Sequence, residues 1–224
     1  MAASVSLASL RAVPLLAALP EERLRALGDR AAPRRHPAGR VLRHAGEPAT
    51  HLLCLLSGRV AATATTAGGR VLRFGEFAAP CALDKVALID GRGHTATLTA
   101  VTPCVVLPVP RAEFLAMAED VPAVRGHVLR VLAAGARRQQ ERFAATATLP
   151  VVARLAAWLL AEAGADGRVG LPGGQQGVAD LLGTTRVTVN RALSRLRREG
   201  LVATERGAVR VLAPELLALR AGRP

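Results

Sequence analysis

Residues 175–198 read QQGVADLLGTTRVTVNRALSRLRR, and this stretch decides the C-terminal architecture. Val178, Leu181 and Leu182 make one short helical face. Gly183 follows where a helix must reverse direction, because glycine tolerates positive φ. Thr184 or Thr185 can then accept a backbone N–H and cap a second helix, whose packing positions are Val187, Val189, Ala192, Leu193 and Leu196. The rest of that helix holds Arg186, Thr188, Asn190, Arg191, Ser194, Arg195, Arg197 and Arg198, five arginines and no acid. Beyond it, residues 201–204 and 208–212 alternate about the tight turn Glu205-Arg206-Gly207, the pattern of a β-hairpin. Helix, turn, helix and hairpin in that order predict a winged helix-turn-helix with its second helix in the major groove of double-stranded DNA. Arginine near the start of such a helix can reach guanine O6 and N7, while threonine and further arginine grip phosphates. A solvated arginine face would account for the charge, but not for Gly183, the paired threonines and the hairpin together.

Upstream, a Pro172-Gly173-Gly174 turn separates this region from a helix over residues 151–163. Its apolar stripe is Val151, Val152, Leu155, Trp158 and Leu159, with Arg154 and Glu162 directed outward. Another helical texture begins at Arg111 and runs to about Thr148, stopped by Pro150. Val121, Val124, Val128, Val131, Leu132 and Gly135 recur there at intervals of three and four. One reading packs this helix on its own domain. The favoured one makes it a two-helix seam between subunits, Gly135 allowing close approach. From 36 to 110 the texture differs again. Short apolar runs at 52–56, 60–64, 71–74, 97–101 and 105–109 are punctuated by Gly46, Gly58, Gly68, Gly69, Gly75, Gly91, Gly93 and Pro103, which predicts an antiparallel sandwich or barrel. Leu15, Leu16, Leu19, Leu24 and Leu27 give the first 29 residues a helical spacing.

The chain's 224 residues suffice for one large domain or two modest ones. No apolar run reaches membrane-spanning length. The first 20 residues have no basic residue ahead of their first apolar stretch and run into Glu21-Glu22-Arg23, the reverse of a signal peptide, so the cytoplasm is the expected location. Three widely spaced cysteines, Cys54, Cys81 and Cys104, argue against a disulfide framework or a zinc knuckle. The net charge of +13 locates nothing by itself. Lys85 is the one lysine among 30 basic residues, tyrosine is absent, and the excess is spread along the chain: 19 basic against 11 acidic residues up to residue 145, 11 against 6 after it. The local cluster at 186–198 therefore carries the nucleic-acid reading. His36, His44, His51, His94 and His127 form no HxH pair, and neither a Ser/His/Asp nor a paired-carboxylate pattern appears, so no catalytic or metal-binding residues are expected.

PLLAALPEERL (14–24), PAGRVLRHAGEPATHLLCLLSGRV (37–60), FGEF (74–77) and GVADLLGTTRVTVNRALSRLRREGLV (177–202) together resemble the cyclic-AMP receptor/fumarate-nitrate regulator (CRP/FNR) superfamily of bacterial transcription factors. The resemblance implies an α+β chain: an effector-sensing, cyclic-nucleotide-binding-like β-roll (jelly roll) over 1–118, a dimerisation helix over 119–148, and a winged helix-turn-helix over 149–224. It also implies a homodimer on a palindromic operator with half-sites about one helical turn apart, RNA polymerase as a further candidate partner, and no membrane. Carried over by position, Arg186 and Arg191 match the family's base-reading arginines, and Gln176, Thr185 and Thr188 its phosphate contacts. Asn190 and Arg195 complete the candidate DNA-binding set together with Val187, which stands where many members have Glu. Glu accepts from cytosine N4, whereas Val offers only apolar contact, for instance to a thymine methyl.

The family's nucleotide cassette is Gly-Glu followed about ten residues later by Arg-Ser/Thr; the Glu takes the ribose hydroxyl and the Arg the cyclic phosphate. Here 17 residues separate Gly75-Glu76 from His94-Thr95-Ala96, and His stands in the Arg position. Histidine lacks arginine's permanent, bidentate cation. A second register puts Asp84-Lys85 in the Gly-Glu slot, which fits the spacing to His94 but loses the family's Glu. The candidate effector pocket is Gly75, Glu76, Cys81, Arg92, His94 and Thr95, with Arg92 or Lys85 as substitute cations. These departures argue against cyclic AMP in the family's usual pose. The absence of cysteine before Cys54 argues against an iron–sulfur cluster. Haem or thiol oxidation at Cys81, near His94, is the remaining cofactor reading, set against three cysteines that are simply core. A protein needing no effector stays open, as does a sensory module acting mainly through a protein partner, which leaves the winged helix without a role.

Overall fold

The computed structural model describes residues 5–30, 32–66 and 71–222. The chain divides into two compact units, residues 1–70 with 74–136 and residues 71–73 with 137–224. In the first, Pro14 and Pro20 interrupt the leucine-rich start, giving α1 (Leu7–Ala12), a 3-10 turn (Leu16–Ala18) and α2 (Glu21–Arg30). Then follow β1 (Arg34–His36), β2 (Val41–Arg43), β3 (His51–Ser57), β4 (Arg59–Thr65), β5 (Val71–Ala78), β6 (Cys81–Leu83), α3 (Lys85–Asp90), β7 (Thr97–Ala100) and β8 (Cys104–Pro110). Two four-stranded sheets result, in the orders β1-β8-β3-β6 and β2-β7-β4-β5. The three-residue strands and α3 escape sequence reading because they are too short to show a period.

Strand β3 explains why residues 52–56 read as one apolar run. Leu52 and Cys54 join a core shared with Leu10, Leu24, Leu107 and Phe114. Leu53 and Leu55 join the sandwich interior with Val60, Leu98 and Val106. Both faces of this strand are covered, so the inside–outside alternation of a half-solvated strand is absent.

The predicted helix from Arg111 to Thr148 is two helices, α4 (Arg111–Asp120) and α5 (Pro122–Thr148). The break is at Val121, which has φ −110° and ψ 102° because the ring of Pro122 disfavours helical backbone before it. Part of the valine face on which the seam is expected packs on its own domain. Val124 and Val128 are buried in the sandwich-side core, and Val121 and Leu132 pack against it. Of the predicted set, Val131 and Gly135 are less enclosed. Beside this face α5 carries Leu129, 60% exposed, and Phe143, 77% exposed.

The second unit contains α6 (Val151–Glu162), β9 (Arg168–Gly170), α7 (Gly174–Leu181), α8 (Arg186–Arg198), β10 (Val202–Glu205), β11 (Ala208–Val211) and α9 (Pro214–Arg220). The hairpin pairs Val202 with Val211 and Glu205 with Ala208, and β9 extends it to a three-stranded antiparallel sheet. Leu155, Leu159, Val178, Val189, Leu193, Leu196, Val209 and Leu217 form its core. The α+β class is as expected, a β-sandwich with a long helix and a winged helix-turn-helix. Among the described residues no helix is long and apolar enough to cross a membrane.

Candidate nucleic-acid interface

The turn between α7 and α8 is built as its residues suggest. Gly183 has φ 64°, in the left-handed region that glycine enters without a Cβ penalty. Thr184 N–H closes the turn on the Ala179 carbonyl at 2.9 Å. Thr185 is the cap: its Oγ1 accepts from Thr188 N at 3.2 Å and lies 2.8 Å from Thr188 Oγ1. Arg154, expected to point outward, instead turns in and donates from Nη1 to the Leu182 carbonyl at 2.8 Å. A cation on a C-terminal carbonyl of α7 is favoured by the helix dipole, and it ties α6 to the turn.

Helix α8 is two-sided. Val189, Ala192, Leu193 and Leu196 are buried at helical spacing. Arg186, Val187, Asn190, Arg191, Arg195, Arg197 and Arg198 are exposed, and Thr188 and Ser194 are partly so. Val187, read as a packing position as well as a DNA contact, is 59% exposed and is no part of the core. Residues 187, 190, 191 and 194 lie three and four apart, so they share one outward face. Asn190, Arg191 and Arg198 line an open groove of about 660 Å³ with Val151 and Val152, and no carboxylate lines it.

Charge pairing separates the arginines. Among the described residues Arg186, Arg191, Arg197 and Arg198 make no ion pair, so their charge is available to an anionic partner. Arg195 differs, donating from Nε to Glu199 at 3.1 Å. Glu199 also accepts twice from Arg220 at 2.8 Å. Hydrogen bonds from Arg220 and then Arg195 hold its carboxyl below the usual range. Gln176 is exposed on α7, with its amide on Asp180 Oδ1 at 2.8 Å.

In the first unit the structure brings together part of the predicted pocket. Glu76 lies on β5, beside Gly75, and pairs with Arg59 of β4 at 3.0 Å. The carboxylate that meets His94 is Asp84, with Oδ2 2.8 Å from Nδ1. Thr95 joins the same cluster through its amide at 3.1 Å and its hydroxyl at 2.8 Å. Arg92 is exposed, its amide on Asp90 Oδ1 at 3.0 Å. Lys85 is buried and donates to the Ala82 carbonyl at 2.5 Å.

The thiols are placed against reactivity. Cys54 sits opposite Ala82 and Cys81 opposite Leu55, so Cys54 and Cys81 face opposite sides of their sheet and cannot join in a disulfide. Burial pushes Cys54 up to about 12 and raises Cys81, against the partial opposing effect of Lys85. A raised thiol pKa means less thiolate at neutral pH. Iodoacetamide on the native protein at neutral pH is therefore expected to leave Cys54 unmodified and to modify Cys81 much more slowly than a free cysteine, with both reacting after urea unfolding. Labelling of native Cys81 at the free-thiol rate would contradict this.

Residues 153–220 match the model of the Crp-like helix-turn-helix domain, and residues 33–120 that of the cyclic nucleotide-binding domain. The chain belongs to the CRP/FNR superfamily. A CRP-like cAMP-activated global transcriptional regulator of Mycobacterium tuberculosis is 27% identical to this CRP/FNR chain over 192 residues, 83% of it and 86% of the relative. An uncharacterized NTE family protein of the same species is 35% identical over 144 residues, 64% of this chain and 24% of that protein. The chain thus spans about a quarter of the length of that relative. A solved CRP-family transcriptional regulator from Thermus thermophilus superposes with a TM-score of 0.68 at 28% identity, covering 84% of this chain and 96% of the other.

Proposed function

We propose that this chain is a sequence-specific DNA-binding transcriptional regulator that acts in the cytoplasm as a homodimer on a palindromic operator, with α8 in the major groove. The observation that carries this is the outward face of α8. Arg186 and Arg191 are exposed and make no ion pair among the described residues, on a capped helix whose other face is locked into the core. Arg186 and Arg191 read bases, helped by Val187 and Asn190; Gln176, Thr185 and Thr188 grip phosphates, and Arg195 takes a lesser part because Glu199 holds it. RNA polymerase is the candidate protein partner. The test is selection from randomised duplexes followed by anisotropy titration across salt. The expected result is enrichment of a palindrome and a log–log salt slope near −0.9 per phosphate neutralised. Equal affinity for all duplexes would sink the reading, and would leave a sensory module working through a protein partner.

Val187 makes a narrower prediction. An exposed valine in the first turn of a groove-reading helix can meet only an apolar feature of the bases, and the 5-methyl of thymine is the one the major groove offers. Replacing the contacted thymine by deoxyuridine removes that methyl, which at about 0.8 kcal/mol weakens the parent protein roughly fourfold. Val187→Ala should lose most of this sensitivity. An unchanged response in the variant would remove Val187 from the base-reading set.

A further inference from the structure

The cyclic nucleotide-binding domain raises the question whether these residues fit a cyclic nucleotide. The polar cluster at Asp84, His94 and Thr95 says that they do not. Three groups converge on one carboxylate-sized spot: the Thr95 amide, the Thr95 hydroxyl and the His94 Nδ1. A peptide N–H, a hydroxyl and an imidazole nitrogen form the donor set for a phosphate or carboxylate oxygen. That spot is already filled. Asp84 Oδ2 takes the amide at 3.1 Å and the ring nitrogen at 2.8 Å, and Asp84 Oδ1 takes the hydroxyl at 2.8 Å. The Asp84 and His94 side chains are 6% and 1% exposed, so water does not compete for the pair.

The backbone holds the donors in place. His94 N–H donates to the Glu47 carbonyl at 2.8 Å, and the His94 carbonyl accepts from Gly46 N–H at 2.8 Å. Gly93, at φ 91°, lets the two segments meet; a Cβ there would stand 2.7 Å from the Gly46 carbonyl oxygen. Asp84 itself has φ 47°, and is the one non-glycine with positive φ among the described residues. Its backbone thus adopts a disfavoured conformation while its side chain lies in the cradle. His94 keeps a second buried nitrogen, Nε2, without a hydrogen-bond partner among the described residues. The three contacts of the cluster are thus all made to the chain's own carboxylate.

We propose that Asp84 is the built-in occupant of an anion cradle in the N-terminal domain, so that this domain binds no cyclic nucleotide and its cradle is held by the chain's own carboxylate. A cyclic phosphate would have to displace Asp84 from three hydrogen bonds and lie beside the buried carboxylate it displaced, like charge against like. The same cradle emptied of Asp84 takes a free inorganic anion. This inference does not depend on the DNA reading.

Two measurements on the full chain decide it. Calorimetry of the parent protein with cyclic AMP and cyclic GMP is expected to show no saturable heat at millimolar nucleotide, and micromolar binding of either would overturn the proposal whether or not any variant folds. Asp84→Gly suits the left-handed backbone and removes the occupant. Inorganic phosphate should then raise its melting temperature and shift the Thr95 amide resonance, with at least tenfold tighter apparent binding than the parent shows. A phosphate response equal in parent and variant would overturn the assignment of the cradle.

Discussion

Arg191→Ala lowers affinity for the selected operator by about 1–3 kcal/mol, roughly 5- to 150-fold, with much less effect on unrelated duplex. The size follows from where the side chain stands. Arg191 is exposed on α8, next to Asn190 and one turn beyond Val187, and no acid among the described residues neutralises it. Its guanidinium is free to make the bidentate contact that discriminates guanine, and alanine leaves guanine O6 and N7 without that partner. The salt dependence separates the two things an arginine does on DNA. Loss of a base contact relaxes sequence preference at one position and leaves the salt slope nearly unchanged. Loss of a phosphate contact weakens all sequences together and reduces the slope by about one. The first outcome is expected at Arg191. Equal affinity of variant and parent for the operator would remove Arg191 from the reading set. Arg195→Ala, whose side chain already serves Glu199, should cost less than Arg191→Ala.

The helix-turn-helix was legible and the Asp84–His94 cluster was not, for a physical reason. Every signal in residues 175–212 is local. A glycine where the chain reverses, a threonine three residues before the N–H it caps, and a hairpin about Glu205-Arg206-Gly207 each involve neighbours in sequence. Asp84 and His94 are ten residues apart and meet because β6, α3 and a glycine-bearing loop fold back on one another. Spacing alone left two registers open, Gly75-Glu76 and Asp84-Lys85, and only tertiary pairing separates them: Glu76 goes to Arg59, and Asp84 to His94. Arg154 misled in a similar way. It stands on the polar side of its helix by pattern, yet a carbonyl at the end of α7 draws it inward. Periodicity also gave α5 an apolar face without saying what covers it. The fold covers Val124 and Val128 with the chain's own sandwich, which moves the search for a subunit contact to the exposed apolar residues beside that face.

Beside that face Leu129, Ala136 and Phe143 recur every seven residues, the repeat that keeps one stripe of a helix facing a partner helix. Leu129 and Phe143 are the largest apolar side chains exposed on α5 among the described residues, and neither is needed to fold its own unit. Phe143→Asp is therefore expected to leave the far-UV circular dichroism of the chain unchanged while shifting it from dimer to monomer in light scattering. The consequence on DNA is larger than any single contact. A dimer binds its second half-site as an intramolecular event, and uncoupling the two sites forfeits an avidity on the order of 10²- to 10⁴-fold without removing one DNA contact. Affinity for an isolated half-site should stay within about twofold of the parent's, because α8 is untouched and distant surface changes are close to additive. Leu129→Asp should act in the same direction. Val128→Asp, by contrast, puts a charge into the sandwich-side core and should unfold the first unit. A Phe143→Asp protein that is monomeric yet holds the full palindrome as tightly as the parent would show that α8 needs no second copy to read its operator.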